Sequence, residues 1–135
     1  MIIQGETIKA LIDTGANFSV LNTTKIKGFL PQSKTSVQMV GFSNTPFKAL
    51  KSLPLEFYLG ELKGRHSFFL VESAPVYLIG RDLLEAYEAH ISFTPKGEMF
   101  LDLKDESDFL HHITFVTHDE DATEQDKLLG SVPKE

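Results

Sequence analysis

The sequence predicts an all-β domain with a single short helix near its end, arranged as a small barrel or folded sheet. Three observations predict it. Short apolar segments of strand character recur along the chain, each bounded by Gly, Pro, Asn or Ser. Several of them alternate apolar and polar residues, the period of a half-buried strand. Helix signals are confined to one stretch, "GRDLLEAYEAH" at 80–90. At 135 residues the chain is long enough for one hydrophobic core and short for two.

The elements follow in order. The first residues read as a hairpin: "MII", a turn at Gln4-Gly5-Glu6, then "TIKALI". In its second arm Ile8, Ala10 and Ile12 share one face, and Thr7, Lys9 and Leu11 the other. Residues 18–22 form a short strand, and 25–35 an irregular crossing that contains "GFLPQS". "SVQMVGFSNTPFKAL" at 36–50 reads as two arms around a loop from Gly41 to Pro46. "LPLEFYLGELKGRHSFFLV" is a further hairpin, with turn signals at Gly60 and at Lys63-Gly64, and "VYLI" is a short buried strand. In the helical stretch Asp82 is the expected N-cap, and Glu85 stands three residues on, the spacing of a capping box. Leu83, Ala86, Tyr87 and His90 would share its buried face. "ISF" and "MFLDL", joined by a turn at Pro95-Lys96-Gly97, complete the domain at about residue 103.

Composition excludes several chemistries. The absence of Cys rules out a disulfide framework, a thiol nucleophile and a zinc–thiolate site. No apolar run approaches the ~18 residues of a membrane span, and the first residues lack the basic-then-apolar order of a signal peptide. The net charge of −6 is unevenly placed: residues 1–103 carry ten basic and ten acidic side chains, and residues 104–135 three and nine. A neutral body with an acidic end makes no electrostatic case for nucleic-acid binding. The domain is therefore expected at 1–103, followed by an acidic linker at 104–135 in which "FLHHITFV" can pair locally without joining the core. His111, His112 and His118 in that segment match no structural zinc spacing and read as solvated linker. No metal and no cofactor is expected.

One stretch carries chemistry, "LIDTGANFSVL" at 11–21. Asp13 ends a strand, and Gly15 permits a tight turn. On turn chemistry alone Asp13 is an Asx-type turn residue. As a catalyst it meets a difficulty, since a lone carboxylate needs a second acid or a metal to hydrolyse an amide. The chain contains no second Asp-Thr-Gly and no Asp-Ser-Gly. A catalytic Asp13 therefore requires a partner from another copy of the chain.

"LIDTGANFSVL", followed by "YLIGRDLL" at 77–84 with a flap-like segment between, resembles the retroviral aspartic proteases, the retropepsins. The spelling is most similar to the gammaretroviral branch and its endogenous relatives, and the resemblance covers roughly residues 2–103. It implies a retropepsin-like acid protease fold, a small closed barrel-like β subunit with one short C-terminal helix, acting as a two-fold homodimer. It also implies an aspartic endopeptidase acting on a viral polyprotein, in the virion or the host-cell cytoplasm. Asp13 of each subunit would form the catalytic pair, Thr14 would bond across the dimer, and Gly15 and Ala16 would complete the active-site loop. Val40, Gly41, Phe42, Ser43 and Asn44 would belong to the flap. Leu11, Phe47, Val76 and Leu78 would line substrate pockets, with Val40 and Phe42 as further apolar candidates. Gly80, Arg81 and Asp82 would support the loop, Arg81 bracing the subunit and Asp82 starting the helix.

This chain departs from the family pattern in its flap, where Gly41 is the only glycine of "MVGFSNTPFKA", and in a short amino end. Asn17 replaces the acid that the lentiviral type carries after the Ala. "LLGSVPKE" at the carboxyl end resembles a polyprotein junction. A second expectation follows: a catalytically weak or inactive retropepsin-like protein, from an endogenous element, that dimerises or binds peptides.

Overall fold

The structure, a computed structural model, describes residues 1–24, 26, 28, 30–40, 46–72, 74 and 76–114. Its strands are β1 Ile2–Ile3, β2 Glu6–Thr7, β3 Ala10–Ile12, β4 Val20–Leu21, β5 Gln32–Val40, β6 Pro46–Ser52, β7 Leu55–Leu59, β8 Leu62–His66, β9 Phe69–Leu70 and β10 Tyr77–Ile79. The helix α1 (Arg81–Ala86) and strands β11 His90–Phe93, β12 Met99–Lys104 and β13 Leu110–Thr114 follow.

The closed barrel is not formed. Among the described residues the strands lie in three open sheets, ordered β2-β1-β7-β8, β3-β10-β4-β9-β6-β5 and β11-β12-β13. Closure requires the first and last strands of a sheet to pair with one another. Here β3 and β5, at the two ends of the largest sheet, do not. Many short strands with frequent turns suit a barrel and a set of folded sheets equally, and pairing partners are not written in local periodicity.

Local chemistry accounts for most of the elements. Gln4 and Gly5 both take positive φ, 50° and 77°, the two-residue turn that matches the twist of a hairpin. It joins β1 to β2, with Ile3 opposite Glu6. Along β7 and β8, Leu55, Phe57, Leu59 and Leu62 point inward in strict alternation. Gly60 turns that hairpin with φ 58°. Gly64, expected in a turn, lies instead inside β8, where a Cβ would stand 2.5 Å from the Tyr87 hydroxyl and 2.6 Å from Phe57 Cζ. It is a glycine because a ring packs there. Tyr87 fills the space, edge-on to Phe57 at 5.6 Å, with its hydroxyl accepting from Arg65 N–H at 2.8 Å and donating to Arg65 C=O at 3.0 Å.

The helix begins earlier than expected. Gly80, in extended conformation, is its N-cap, and Asp82 lies within the first turn, so no capping box forms with Glu85. The buried face is Leu83, Leu84 and Tyr87, whereas Ala86 and His90 are exposed. β5 starts at Gln32, several residues inside the expected irregular crossing. At the other end β12 pairs with β13, and Ile113 packs on the main core cluster and against Gly60. His111 and His112, read as solvated linker, sit on β13 and are paired with Asp105 at 2.8 Å and Asp102 at 2.6 Å. His118 lies outside the described residues.

Candidate active site

The register of one parallel strand pair builds the site. β3 and β10 run side by side with Ile12 opposite Ile79. Parallel strands finish at the same edge, so the next residues, Asp13 and Gly80, emerge together. Asp13 N–H extends the ladder by donating to Ile79 C=O at 3.0 Å. Two motifs far apart in sequence thus become neighbours, and the apolar residues before each are the strands that bring them there.

After Asp13 the chain turns tightly. Asp13 Oδ1 accepts Gly15 N–H at 2.9 Å, and Asp13 C=O accepts Ala16 N–H at 3.1 Å. The half-buried carboxylate is thereby held at a strand end by its own loop, while Thr14 and Gly15 are exposed. The 80–82 segment clasps the loop from the other side. Arg81 N–H donates to Ala16 C=O at 2.8 Å and Asp82 N–H to Asn17 C=O at 3.2 Å. A Cβ on Gly80 would lie 2.5 Å from Phe18 O and 2.9 Å from Ala16 O, so only glycine admits this approach.

Asp82 supports this clasp through its side chain. Its Oδ1 accepts from Ser19 Oγ at 2.6 Å and from Leu83 N–H at 2.7 Å, and its Oδ2 lies 2.9 Å from His66 Nε2. Burial raises the Asp82 carboxyl pKa, but the hydrogen bonds from His66 and Ser19 outweigh it and hold the group below its ordinary range. Arg81 contributes its backbone; its exposed side chain lies 3.6 Å from Glu85, on the helix surface.

The remaining expected residues are dispersed. Val40 is 63% exposed and forms the last pair of the β5–β6 ribbon, opposite Pro46. Gly41, Phe42, Ser43 and Asn44 lie outside the described residues. Phe47 is half-buried and packs against the second core cluster, that of Ala49, Phe69, Val71 and Ala74. Leu11 and Leu78 are opposite one another in the β3–β10 pair, Leu11 exposed and Leu78 half-buried, and half-buried Val76 precedes β10. Sequence reasoning missed Ser19 and His66, which carry no local signal: each matters only for what the fold sets beside it. A cavity of about 360 Å³ is lined by residues on the His66 side, including Phe18, Lys51, Arg65 and Phe69. None of the four expected pocket residues borders it. Among the described residues no three His, Asp or Glu side chains converge to hold a metal.

Residues 1–92 match the family described as retroviral aspartyl protease. The Gag-Pol polyprotein of Gibbon ape leukemia virus is 33% identical over 98 residues, 72% of this chain and 6% of that protein. The Feline leukemia virus Gag-Pol polyprotein is 36% identical over 96 residues, 70% of this chain and 5% of that one. The Endogenous retrovirus group K member 18 Pro protein of Homo sapiens is 31% identical over 94 residues, 69% of this chain and 60% of the relative. The chain therefore spans a small fraction of the polyproteins it matches and just over half of the Pro protein.

Proposed function

Because the chain belongs to the retroviral aspartyl protease family, we propose that it is an aspartic endopeptidase that works as a two-fold homodimer, Asp13 of each subunit supplying half of the catalytic pair. One observation carries this reading. Each chain holds a single Asp-Thr-Gly carboxylate at a strand end, oriented by the Gly15 amide and clasped by residues 80–82. Such a carboxylate has no second acid of its own motif, and a two-fold axis supplies one.

Chemistry follows from the pairing. Two carboxylates sharing one site cannot both ionise cheaply, as in aspartic-protease dyads generally, so one retains a proton. The ionised Asp13 takes a proton from a water held between the two. The protonated one hydrogen-bonds the scissile carbonyl and polarises it as the water attacks. The tetrahedral intermediate then collapses, and a proton passes to the leaving amine. Thr14 and Gly15, exposed beside Asp13, are placed to meet the partner loop and the substrate backbone. The β5–β6 ribbon is the flap, closing on an extended peptide by strand addition and excluding bulk water. Leu11, Phe47, Val76, Leu78 and Val40 supply apolar pockets for alternate substrate side chains.

The substrate is a polypeptide of the viral polyprotein class, matching the Gag-Pol setting of the relatives, and the place of action is the virion or the host-cell cytoplasm. The test compares the wild type with Asp13→Asn on a peptide library near pH 5 and near neutrality, alongside sedimentation. Cleavage should be abolished in the variant with the fold and dimer retained. Equal product from both proteins would sink the Asp13 assignment. A wild type that dimerises but yields no product at either pH would point to the inactive, peptide-binding alternative.

A further inference from the structure

We propose that His66 is a positioning residue for the Asp13 loop, acting through Asp82 and Ser19; this rests on the reading of Asp13 as catalytic. The contacts form one directed chain. Gly80 N–H donates to Ser19 Oγ at 2.9 Å, so the single hydroxyl proton of Ser19 is left for Asp82 Oδ1, at 2.6 Å. Leu83 N–H donates to the same oxygen at 2.7 Å. Asp82 Oδ1 is thus purely an acceptor, and Oδ2 is left to His66 Nε2 at 2.9 Å. With Asp82 ionised, Nε2 is the donor.

Each link is confined. Ser19 is fully buried, while the His66 and Asp82 side chains are only 15% and 22% exposed. The imidazole stands edge-on to Phe68 at 5.2 Å, which fixes its plane. Without the His66 donor, Asp82 Oδ2 becomes a half-buried carboxylate oxygen with no hydrogen-bond partner among the described residues. The side chain then has reason to rotate toward the cavity and solvent, releasing Ser19. Ser19 holds Gly80, and Gly80 sits against the loop that begins at Asp13. The displacement of a residue on β8 is thereby delivered to the catalytic carboxylate.

The arrangement also sets a pH dependence. The charged and titratable groups facing His66 are Asp82 from α1, Lys51 from β6 and Arg65 from β8, the two cations bordering the same cavity. The two cations carry the sign of charge that suits an ionised Asp82, while the contacts that hold its carboxyl below the ordinary range are those from His66 and Ser19. Its lowered pKa means the clasp is present above the ordinary carboxylate range and is lost only as pH falls through the depressed value. Removing His66 takes away a lowering contact and leaves burial, which raises the pKa. The clasp should then loosen at a higher pH.

The test uses His66→Leu and His66→Gln in the whole chain. Amide exchange at Gly80 and Gly15 reads the clasp independently of activity, and the pH profiles of kcat and KM read its consequence. In His66→Leu, exchange at Gly80 should speed up roughly tenfold, the scale of one charge-assisted hydrogen bond. The acid limb of kcat should move to higher pH with KM little changed. His66→Gln keeps a donor and should preserve Gly80 protection while shifting the acid limb less. Unchanged Gly80 exchange in His66→Leu overturns the proposal. So does a Gln variant as impaired as Leu, since that would make the ring's bulk the cause. If His66→Leu does not fold, His66→Gln alone decides, with lost Gly80 protection overturning the idea. A wild type without peptidase activity, but with the expected exchange changes, would fail the functional reading and leave the clasp standing. An active wild type with unchanged exchange would fail the clasp alone.

Discussion

Gly80→Ala is the perturbation that best separates this geometry from a generic helix start. The added methyl would stand 2.5 Å from Phe18 O, 2.7 Å from Phe18 C and 2.9 Å from Ala16 O. All three are backbone atoms of the active-site loop, so no side chain can swing aside. The loop or the 80–82 segment must retreat, and three bonds span that gap: Arg81 N–H to Ala16 C=O, Asp82 N–H to Asn17 C=O and Gly80 N–H to Ser19 Oγ. Overpacking costs about 1–3 kcal/mol, and each weakened hydrogen bond about 1 kcal/mol more. With one of the three bonds lost the total is about 2–4 kcal/mol, whose midpoint corresponds to a fall in Tm of roughly 10–20 °C for a domain of this size. Thermal or urea unfolding measures the loss, and peptide cleavage below the new Tm measures the site. Activity should fall further than the unfolded fraction explains, because the retreat moves the loop that carries Asp13. A Gly80→Ala protein melting within about 2 °C of the wild type would refute the close approach.

Gly64→Ala provides the contrast: its methyl meets the Tyr87 ring and Phe57, away from the Asp13 loop, so stability should fall by about 1–3 kcal/mol while the folded fraction keeps its activity per molecule. Tyr87→Phe removes the acceptor for Arg65 N–H and the donor to Arg65 C=O and should cost about 1–3 kcal/mol in urea unfolding. Asp105 is held below its ordinary pKa by the hydrogen bond from His111, with the Phe109 and Ser107 amides assisting against burial. Its contribution to the β12–β13 hairpin is therefore present above the ordinary carboxylate range and lost as pH falls through the lowered value. Amide exchange across 110–114 should accelerate there, and Asp105→Asn should remove that pH dependence.

Much of the local structure was legible in the chain. The turn at Gln4-Gly5-Glu6 reads from Gly5, which takes positive φ freely, although Glu6 already belongs to β2, and the alternation in "LEFYL" reads as a strand with one face buried. The Asp-Thr-Gly turn was equally plain, as was its kinship with "GRDLL". Gly64 was misread because a glycine in a strand gives the same local signal whether it turns the chain or admits a ring from elsewhere. The helix start slipped by two residues because Asp82 spends its carboxylate on Ser19 and His66 instead of on a cap. The barrel expectation failed because short strands specify a period and not a partner.

The sequence by itself determined the turns at Gly5 and Gly60, the one-sided burial of β7, and which carboxylate stands at a strand end within a family signature. Those properties depend on a few adjacent residues and on elementary sterics. Only the tertiary structure decided that β3 and β10 run parallel in a register that sets Asp13 beside Gly80, that the sheets stay open, and that His66 reaches Asp82. Each of these is a contact between residues distant in the chain. Its energy comes from packing and desolvation that exist only once the core has formed.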